Sequence, residues 1–295
     1  MKKLIALIGL VLLVVAMPGM AADKLRLVAS FSVLGDMVGR IAGNHAEVLT
    51  LVGPDGDAHT FEPSPANAKD VASAKLVFVN GLGLDKWMES LARSAEYKGP
   101  VITASSGIKT RTMIEDNETI TDPHAWQDLR NGEIYAANIA AALIAADPQN
   151  AADYAKARDA YVAELTALDS DVRQQFAAVP EAKRRVITSH DAFGYFGAAY
   201  AIEFLAPEGL STEAEASAGD LSKLMNQIKR EGIKALFIEN ITDPRMMTMI
   251  ASETGVELGG SLFSDALSPP SGPAPTYIGM FKNNVPKLLA GMAKN

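Results

Sequence analysis

Residues 25–52 have the sequence LRLVASFSVLGDMVGRIAGNHAEVLTLV, in which two β-rich apolar segments enclose a segment with helical spacing. We interpret this stretch as strand Leu25–Phe31, helix Val33–Ala42 and strand Ala46–Val52. A strand, a helix and a second strand in this order are typical of a parallel sheet covered by helices. The stretch therefore predicts an α/β fold.

The same alternation of strand-like and helix-like segments continues along the chain. Further strands are predicted at Leu76–Val79, Val101–Thr103, Arg185–Thr188, Ala201–Leu205, Ala235–Glu239 and Val256–Phe263. The helices predicted between and after them are Ala66–Ser73, Lys86–Ala95, Phe193–Tyr200, Leu221–Glu231, Pro244–Thr254 and Tyr277–Ala293. Because the pattern occurs before and after an alanine-rich centre, we expect two lobes, each a mainly parallel sheet flanked by helices.

The alanine-rich centre, Gly132–Ala178, is predicted to be helical with a break at Pro148, since proline disrupts a helix interior. After this break, apolar residues recur at three- and four-residue steps, which is typical of a helix with one buried stripe. One interpretation is a long rigid backbone helix, 148–178, that lies across both lobes. A helix that belongs to one lobe fits the periodicity as well. The first interpretation divides the chain into an N-terminal lobe, 23–147, the linking helix, and a C-terminal lobe, 179–295.

The first residues of the chain predict export. Two lysines precede the apolar run Leu4–Met17, and small residues follow it up to Ala22. This arrangement is typical of a cleavable signal peptide, here 1–22, and an uncleaved membrane anchor is the alternative. We expect a periplasmic protein, and one without a lipid anchor because the sequence contains no cysteine.

Composition excludes several classes of site. The 295 residues carry a formal net charge of -8, and no run of lysine or arginine forms a basic stripe, so we expect no nucleic-acid partner. The absence of cysteine excludes thiolate metal sites, cysteine nucleophiles and CxxC redox chemistry within this sequence. The sequence also lacks the GxSxG, GxxxxGK[ST] and HExxH motifs.

Four residues are candidates for a metal site. His59, His190 and Asp265 each follow a predicted strand, where ligands of open α/β sheets bind, and His124 lies on the loop before the central helical region. Three imidazoles and one carboxylate would suit tetrahedral zinc. Their spacing forms no known motif, so hydrogen-bonded loop residues are the alternative. The fourth histidine, His45, is predicted to be a solvated loop residue.

Five stretches give the chain a resemblance to a known family. They are GDAHTFEPSP at 56–65, LVFVNGLGLDKW at 76–87, DPHAW at 122–126, TSHDAFGYF at 188–196 and SDALS at 264–268. In these stretches the sequence resembles the zinc/manganese solute-binding proteins of ABC transporters, the cluster A-I or family 9 binding proteins. The matching stretches extend over almost the whole predicted mature chain.

This resemblance implies a fold, a site and partners. It implies two α/β lobes joined by one rigid helix, with a transported metal between them and no enzymatic activity. The family's ligands fall on His59, His124, His190 and Asp265. The implied partners are a membrane permease and its ATPase, and we expect the binding protein itself to be a monomer.

The third ligand position favours zinc as the cargo. Family members that resemble manganese-specific proteins typically have glutamate where this chain has His190, and manganese prefers more oxygen ligands. Manganese and iron(II) are the alternative cargoes, and an adhesin or a zinc hydrolase are alternative functions. Glu62 and Asp191 are candidates for orienting the imidazoles because they lie nearby in sequence.

Two departures from the family pattern stand out. The segment Arg111–Asp122 is short, acidic and free of histidine, where many zinc members have a long His-rich loop. A periplasmic zinc chaperone is therefore a candidate partner. In addition, Leu129 occupies a position that is often proline in the family.

Overall fold

The computed structural model describes residues 24–115, 118–209, 212 and 217–295. The predicted signal peptide, 1–22, lies outside these residues. Within them, no helix combines the length and the apolar character needed to cross a bilayer.

The first lobe is built on a parallel sheet with the strand order β2-β1-β3-β4. Its strands are β1 Leu25–Phe31, β2 Ala46–Val52, β3 Leu76–Val79 and β4 Val101–Thr103, and its helices are α1 Ser32–Ala42, α2 Pro65–Ser73 and α3 Trp87–Ser94. All four strands have the bounds predicted from the sequence. β3 is buried along its whole length because helices cover both faces of the sheet.

The second lobe repeats this architecture with the strand order β10-β9-β7-β8, again all parallel. Its strands are β7 Arg185–Ile187, β8 Glu203–Leu205, β9 Leu236–Glu239 and β10 Leu258–Leu262, and its helices are α6 Gly194–Tyr200, α7 Ala218–Glu231, α8 Pro244–Thr254 and α9 Tyr277–Ala293. The bounds of α8 and α9 agree with the prediction, and each of the other elements differs from it by one to three residues at one or both ends.

A short antiparallel hairpin connects the first lobe to the central helices. Its strands are β5 Thr112–Glu115 and β6 Glu118–Thr121. No strand is predicted here from the sequence, so these two strands are an addition to the predicted architecture. Alternating threonine, isoleucine and glutamate side chains suit a mostly exposed two-stranded ribbon.

Two central helices follow the hairpin, α4 Leu129–Ala146 and α5 Ala151–Ala177. Asp128 caps α4 by accepting a hydrogen bond from the backbone N–H of Arg130. Pro148 lies in the short 3₁₀ turn between the helices, which confirms the predicted break. The 27 residues of α5 span about 40 Å at a rise of 1.5 Å per residue.

Helix α5 contacts both lobes. Near its start, the guanidinium of Arg40 on α1 lies over the ring of Tyr161. Near its end, Asp169 accepts a hydrogen bond of 3.0 Å from the hydroxyl of Tyr200 on α6, and Phe176 packs edge-on against Phe196. The interpretation of a backbone helix across both lobes is confirmed.

One hydrophobic core continues from the first lobe into the second. The Trp126 ring packs against Phe31 at 4.9 Å, and the indole N–H of Trp126 donates to the carbonyl of Ser264. Tyr277, at the start of α9, is fully buried and donates its hydroxyl hydrogen to the carbonyl of Trp126. Because interiors are close-packed, a shared core resists a wide separation of the lobes.

Candidate metal centre

The four candidate residues come from four separate loops between the lobes. His59 follows the turn after β2, and His190 and Asp265 each come three residues after the end of a strand, β7 and β10 respectively. His124 directly precedes the 3₁₀ turn Ala125–Gln127. The carboxyl ends of the two sheets therefore face one another across the cleft, as the sequence analysis expected.

Their ligand-type atoms converge on one point. Nε2 of His59 lies 2.9 Å from Oδ2 of Asp265 and 3.3 Å from Nε2 of His124. The same Asp265 oxygen lies 3.2 Å from Nε2 of His190 and 3.6 Å from Nε2 of His124. All four ligand-type atoms lie within 4.8 Å of one another. Metal–ligand bonds of about 2.0–2.2 Å in a tetrahedron require ligand atoms ~3.3–3.6 Å apart, so the four side chains fit a four-coordinate cation.

The site is almost closed to solvent. The side chains of His124, His190 and Asp265 are 0% exposed, and that of His59 is 8% exposed. In the described part of the chain, the second carboxylate oxygen of Asp265, Oδ1, is buried without a hydrogen-bond partner. Such buried acceptors are costly unless they are satisfied, and only a cation bound by both oxygens of Asp265 would satisfy Oδ1, because Oδ2 is the oxygen that faces the imidazoles.

Two buried carboxylates orient the histidine rings. Nδ1 of His124 lies 2.9 Å from Oδ1 of Asp122, which also accepts the backbone N–H of His124. Nδ1 of His190 lies 2.7 Å from Oε2 of Glu239, whose other oxygen accepts the backbone N–H of His190. Each carboxylate therefore fixes both the ring and the backbone that carries it, and directs Nε2 toward the shared point.

The carboxylates that contact the rings differ from the predicted ones, Glu62 and Asp191. Glu62 is exposed, and the described close contacts of the two ring Nδ1 atoms come from Asp122 and Glu239. The Asp191 carboxylate acts on His124 and His190 through its charge. Asp122 lies two residues before His124, so proximity in sequence could have indicated it, whereas Glu239 is 49 residues from His190. Glu239 carried a usable signal, since it is an acidic residue at the end of the buried strand β9.

The carboxylates also change the protonation of the site. Burial disfavours the imidazolium form of His124, but the charge of Asp265 and the hydrogen bond to Asp122 outweigh burial and raise the pKa to about 9. Burial likewise opposes the imidazolium of His190, yet Glu239 and Asp265 raise the pKa of His190 well above its usual value. A cation that binds here must displace these protons.

Asp265 shows the opposite shift. Burial favours the neutral acid, but the imidazoles of His124 and His190 lower the pKa of Asp265 well below its usual range. These shifts favour an ionised Asp265 beside the imidazolium forms of His124 and His190 in the metal-free site. A divalent cation can replace that positive charge without leaving the carboxylate buried and unpaired.

Side chains of the first lobe hold the Asp265 loop in place. Trp126 and Gln127 both donate side-chain hydrogen bonds to the carbonyl of Ser264, at 2.9 and 2.8 Å. From the other side, the Asn284 amide pairs with the backbone N–H and carbonyl of Phe263. Asp265 is therefore positioned before any metal binds.

The loop that carries His59 closes the outer side of the site. Asp57 accepts the backbone N–H of His59 at 2.8 Å, and Asp55 accepts a side-chain hydrogen bond from Asn240 of the second lobe at 2.9 Å. His59 is also the most exposed of the four candidates. The loop therefore forms the part of the site that lies nearest to solvent.

The fourth histidine is not part of the site. His45 lies in a 3₁₀ turn of the first lobe, and its ring contacts Asp153 on α5 at 3.0 Å. The prediction of a loop residue is confirmed.

Comparison with known proteins identifies the family. The chain matches the family described as zinc-uptake complex component A, periplasmic (ZnuA), over residues 27–291. The chain belongs to this family. Its members are solute-binding components of transporters, so the protein is not an enzyme, and the zinc-hydrolase alternative is excluded.

Individual relatives share most of the length of the chain. The manganese ABC transporter substrate-binding lipoprotein scaA of Streptococcus gordonii is 32% identical, covering 97% of this chain and 98% of its own. The iron ABC transporter substrate-binding lipoprotein MtsA of Streptococcus pyogenes serotype M1 is 33% identical, covering 92% and 90%. The structure of the periplasmic zinc binding protein TroA from Treponema pallidum matches with a TM-score of 0.86 and 28% identity, covering 91% and 99%.

These comparisons establish the general function. The protein is a metal-binding, substrate-binding component of an ABC transporter, whose other components are a permease and an ATPase. The relatives are named for manganese, iron and zinc, so they support a divalent cargo without specifying zinc.

Several relatives are named lipoproteins, which gives no support to the expectation of a protein without a lipid anchor. The adhesin alternative is not confirmed.

Proposed function

We propose that the protein captures Zn²⁺ in the periplasm, with His59, His124, His190 and Asp265 as the ligands, and delivers it to the permease as a monomer. The observation that carries this proposal is the convergence of three imidazoles and one carboxylate on a single buried point. Zinc accepts four nitrogen and oxygen ligands in a tetrahedron, whereas manganese prefers six ligands that are mostly oxygen.

The two separate parallel sheets, with α5 between them in the chain, support the proposed division into 23–147, 148–178 and 179–295. The two outer segments contribute the ligands, and the helix between them contacts both. Capture would then need a small movement of the loop that carries His59, without a wide hinge closure. Zinc binding replaces protons on His124 and His190, and docking to the permease reverses the exchange.

Manganese is the second candidate cargo. The unpartnered Oδ1 of Asp265 could supply a fifth ligand if this carboxylate bound in a bidentate manner, which would suit a cation that prefers oxygen. Residues 111–122 contain no histidine, so this segment has no His-rich loop. As a further part of the zinc proposal, a periplasmic zinc chaperone delivers zinc to the protein.

The test is metal stoichiometry and thermal stability of the chelator-treated protein after addition of zinc or manganese. A ligand at ~100 times its dissociation constant adds about 2.7 kcal/mol to the free energy of unfolding. We expect one equivalent of zinc and a clear rise in Tm, both lost in His190→Ala and retained in the matched control His45→Ala. Stabilisation by manganese alone would overturn the choice of zinc, and retention of zinc by His190→Ala would overturn the site.

A further inference from the structure

A second polar cavity, distinct from the metal centre, lies where the two lobes and α5 meet. It has a volume of about 420 Å³, which is within the range of small-molecule sites. Its wall comes from the segment before β5, the start of α4, the end of α5 and helix α6. The candidate metal ligands are not among the residues that line it.

Positive charge is concentrated in this cavity. Four cationic side chains line it: Lys109, Arg111, Arg130 and Arg173. The whole chain has 27 lysines and arginines and 35 aspartates and glutamates, so a cluster of positive charge is unusual in this acidic protein. The positive end of the α4 dipole lies at the same place and favours a bound anion.

Carboxylates also lie near these charges. Asp128 lies in the wall, where it caps α4, and Asp169 pairs with Arg130 at 3.2 Å and with Arg173 at 2.8 Å. The carboxylate near Arg111, that of Asp122, lies 3.8 Å away. Among the residues that line the cavity, four cations accompany one carboxylate, Asp128, while Asp122, Asp169 and Asp191 act on the arginines without lining it.

Arg111 has donor capacity that the described residues do not use. Its Nε lacks a hydrogen-bond partner in the described part of the chain and faces Asp122 at 3.8 Å. Its side chain is 38% exposed, and the guanidinium lies over the ring of Tyr195 at 5.6 Å. The Tyr195 hydroxyl accepts the backbone N–H of Arg111, which fixes this residue against α6. Guanidinium groups form bidentate hydrogen bonds with carboxylate and phosphate oxygens. The arginines of the cavity therefore suit a ligand with several acceptor oxygens.

We propose that this cavity binds a small multivalent oxyanion, either inorganic phosphate or a polycarboxylate. Because residues of both lobes and of α5 line it, the bound anion would bridge the lobes. The proposal is independent of which metal the protein carries.

The test uses the metal-free protein, so that chelation of zinc by the anion does not affect the result. Phosphate and citrate are titrated separately by calorimetry and by thermal unfolding, with sodium chloride at matched ionic strength as the reference. We expect saturable binding of at least one of them, and a rise in Tm of roughly 2–4 °C when its concentration exceeds Kd several-fold. The ligand with the lower Kd identifies the source of the oxyanion.

The variant Lys109→Gln/Arg130→Gln removes two of the four charges without touching the metal centre. We expect its Kd for the anion to rise by about tenfold or more, which corresponds to ~1.4 kcal/mol, while its zinc stoichiometry is unchanged. The matched control, Lys98→Gln/Arg93→Gln, removes an exposed lysine and an ion-paired arginine elsewhere on the first lobe and should bind like the unmodified protein. Absence of saturable binding, or equal weakening in both variants, would overturn the proposal.

Discussion

At the residue scale, the candidate ligands could be predicted from the sequence but the pairing of Glu239 with His190 could not. Strand ends and family motifs pointed to His59, His124, His190 and Asp265, and the structure brings these four together. Glu239 lies 49 residues after His190, and local sequence does not reveal which distant strand end faces a given ring. That pairing depends on the strand order of the second sheet, in which β9 lies beside β7.

Glu239→Gln should weaken zinc binding without abolishing it. The amide keeps the size of the side chain but removes the charge that lies beside Nδ1 of His190, so we expect a loss of roughly 10–100-fold in zinc affinity. Competition with a chromophoric zinc chelator would measure the change. Glu62→Gln is the matched control, because Glu62 is exposed. Equal losses in the two variants would contradict the assigned role of Glu239.

Zinc affinity and the stability of the metal-free protein should depend on pH in opposite directions. Since the pKa of His124 is raised to about 9, its protonation stabilises the metal-free fold fully below about pH 6.5, and this contribution is lost as the pH rises through about 9. Zinc competes with the same proton, so its affinity should fall as the pH drops below about 9, and not only below the ~6.5 expected for an ordinary histidine. Parallel zinc titrations and thermal unfolding from pH 6 to 9 would measure both trends. A zinc affinity that did not change over this interval would count against ligation by His124.

At the element scale, hydrophobic periodicity and proline placed most helices and strands correctly. The exception is the β5–β6 hairpin, whose mostly exposed threonine and glutamate side chains give no clear apolar period. Periodicity also left open whether α5 belonged to one lobe or to two. Only tertiary contacts show which lobes α5 packs against, because an apolar face on a helix indicates that the face is buried but not which element covers it.

Asp169→Asn should loosen the contact between α5 and the second lobe. Asp169 is buried, accepts the Tyr200 hydroxyl, and pairs with Arg130 and Arg173. Loss of its charge should lower the free energy of unfolding by about 1–3 kcal/mol, as for other buried charged hydrogen bonds. Denaturant unfolding would measure this loss, with the exposed Asp171→Asn on the same helix as the control. A change no larger than that of the control would contradict this role.

At the scale of the whole molecule, one core and one long helix make the lobes a connected body. The sequence predicted two lobes, but it did not reveal that Trp126 and Tyr277 join their interiors. Residues that contact across a lobe boundary lie far apart in sequence, so no local pattern indicates the contact. The core holds the two lobes together, and the contacts of Ser264 and Phe263 hold the Asp265 loop. The metal site is therefore largely preformed.

Zinc binding should therefore change the overall shape very little. We expect the radius of gyration from small-angle X-ray scattering to be the same, within error, for the metal-free and zinc-loaded protein, since the packed interior between the lobes opposes a wide hinge motion. A distinct compaction on addition of zinc would show that the lobes open widely without metal.

The central claim is that three imidazoles and one carboxylate bind a single zinc ion between the lobes. X-ray absorption at the zinc edge of the zinc-loaded protein tests it most directly. We predict four nitrogen or oxygen ligands at about 2.0–2.1 Å, with the multiple scattering of about three imidazole rings. A shell of five or six ligands with one imidazole or none would contradict the claim.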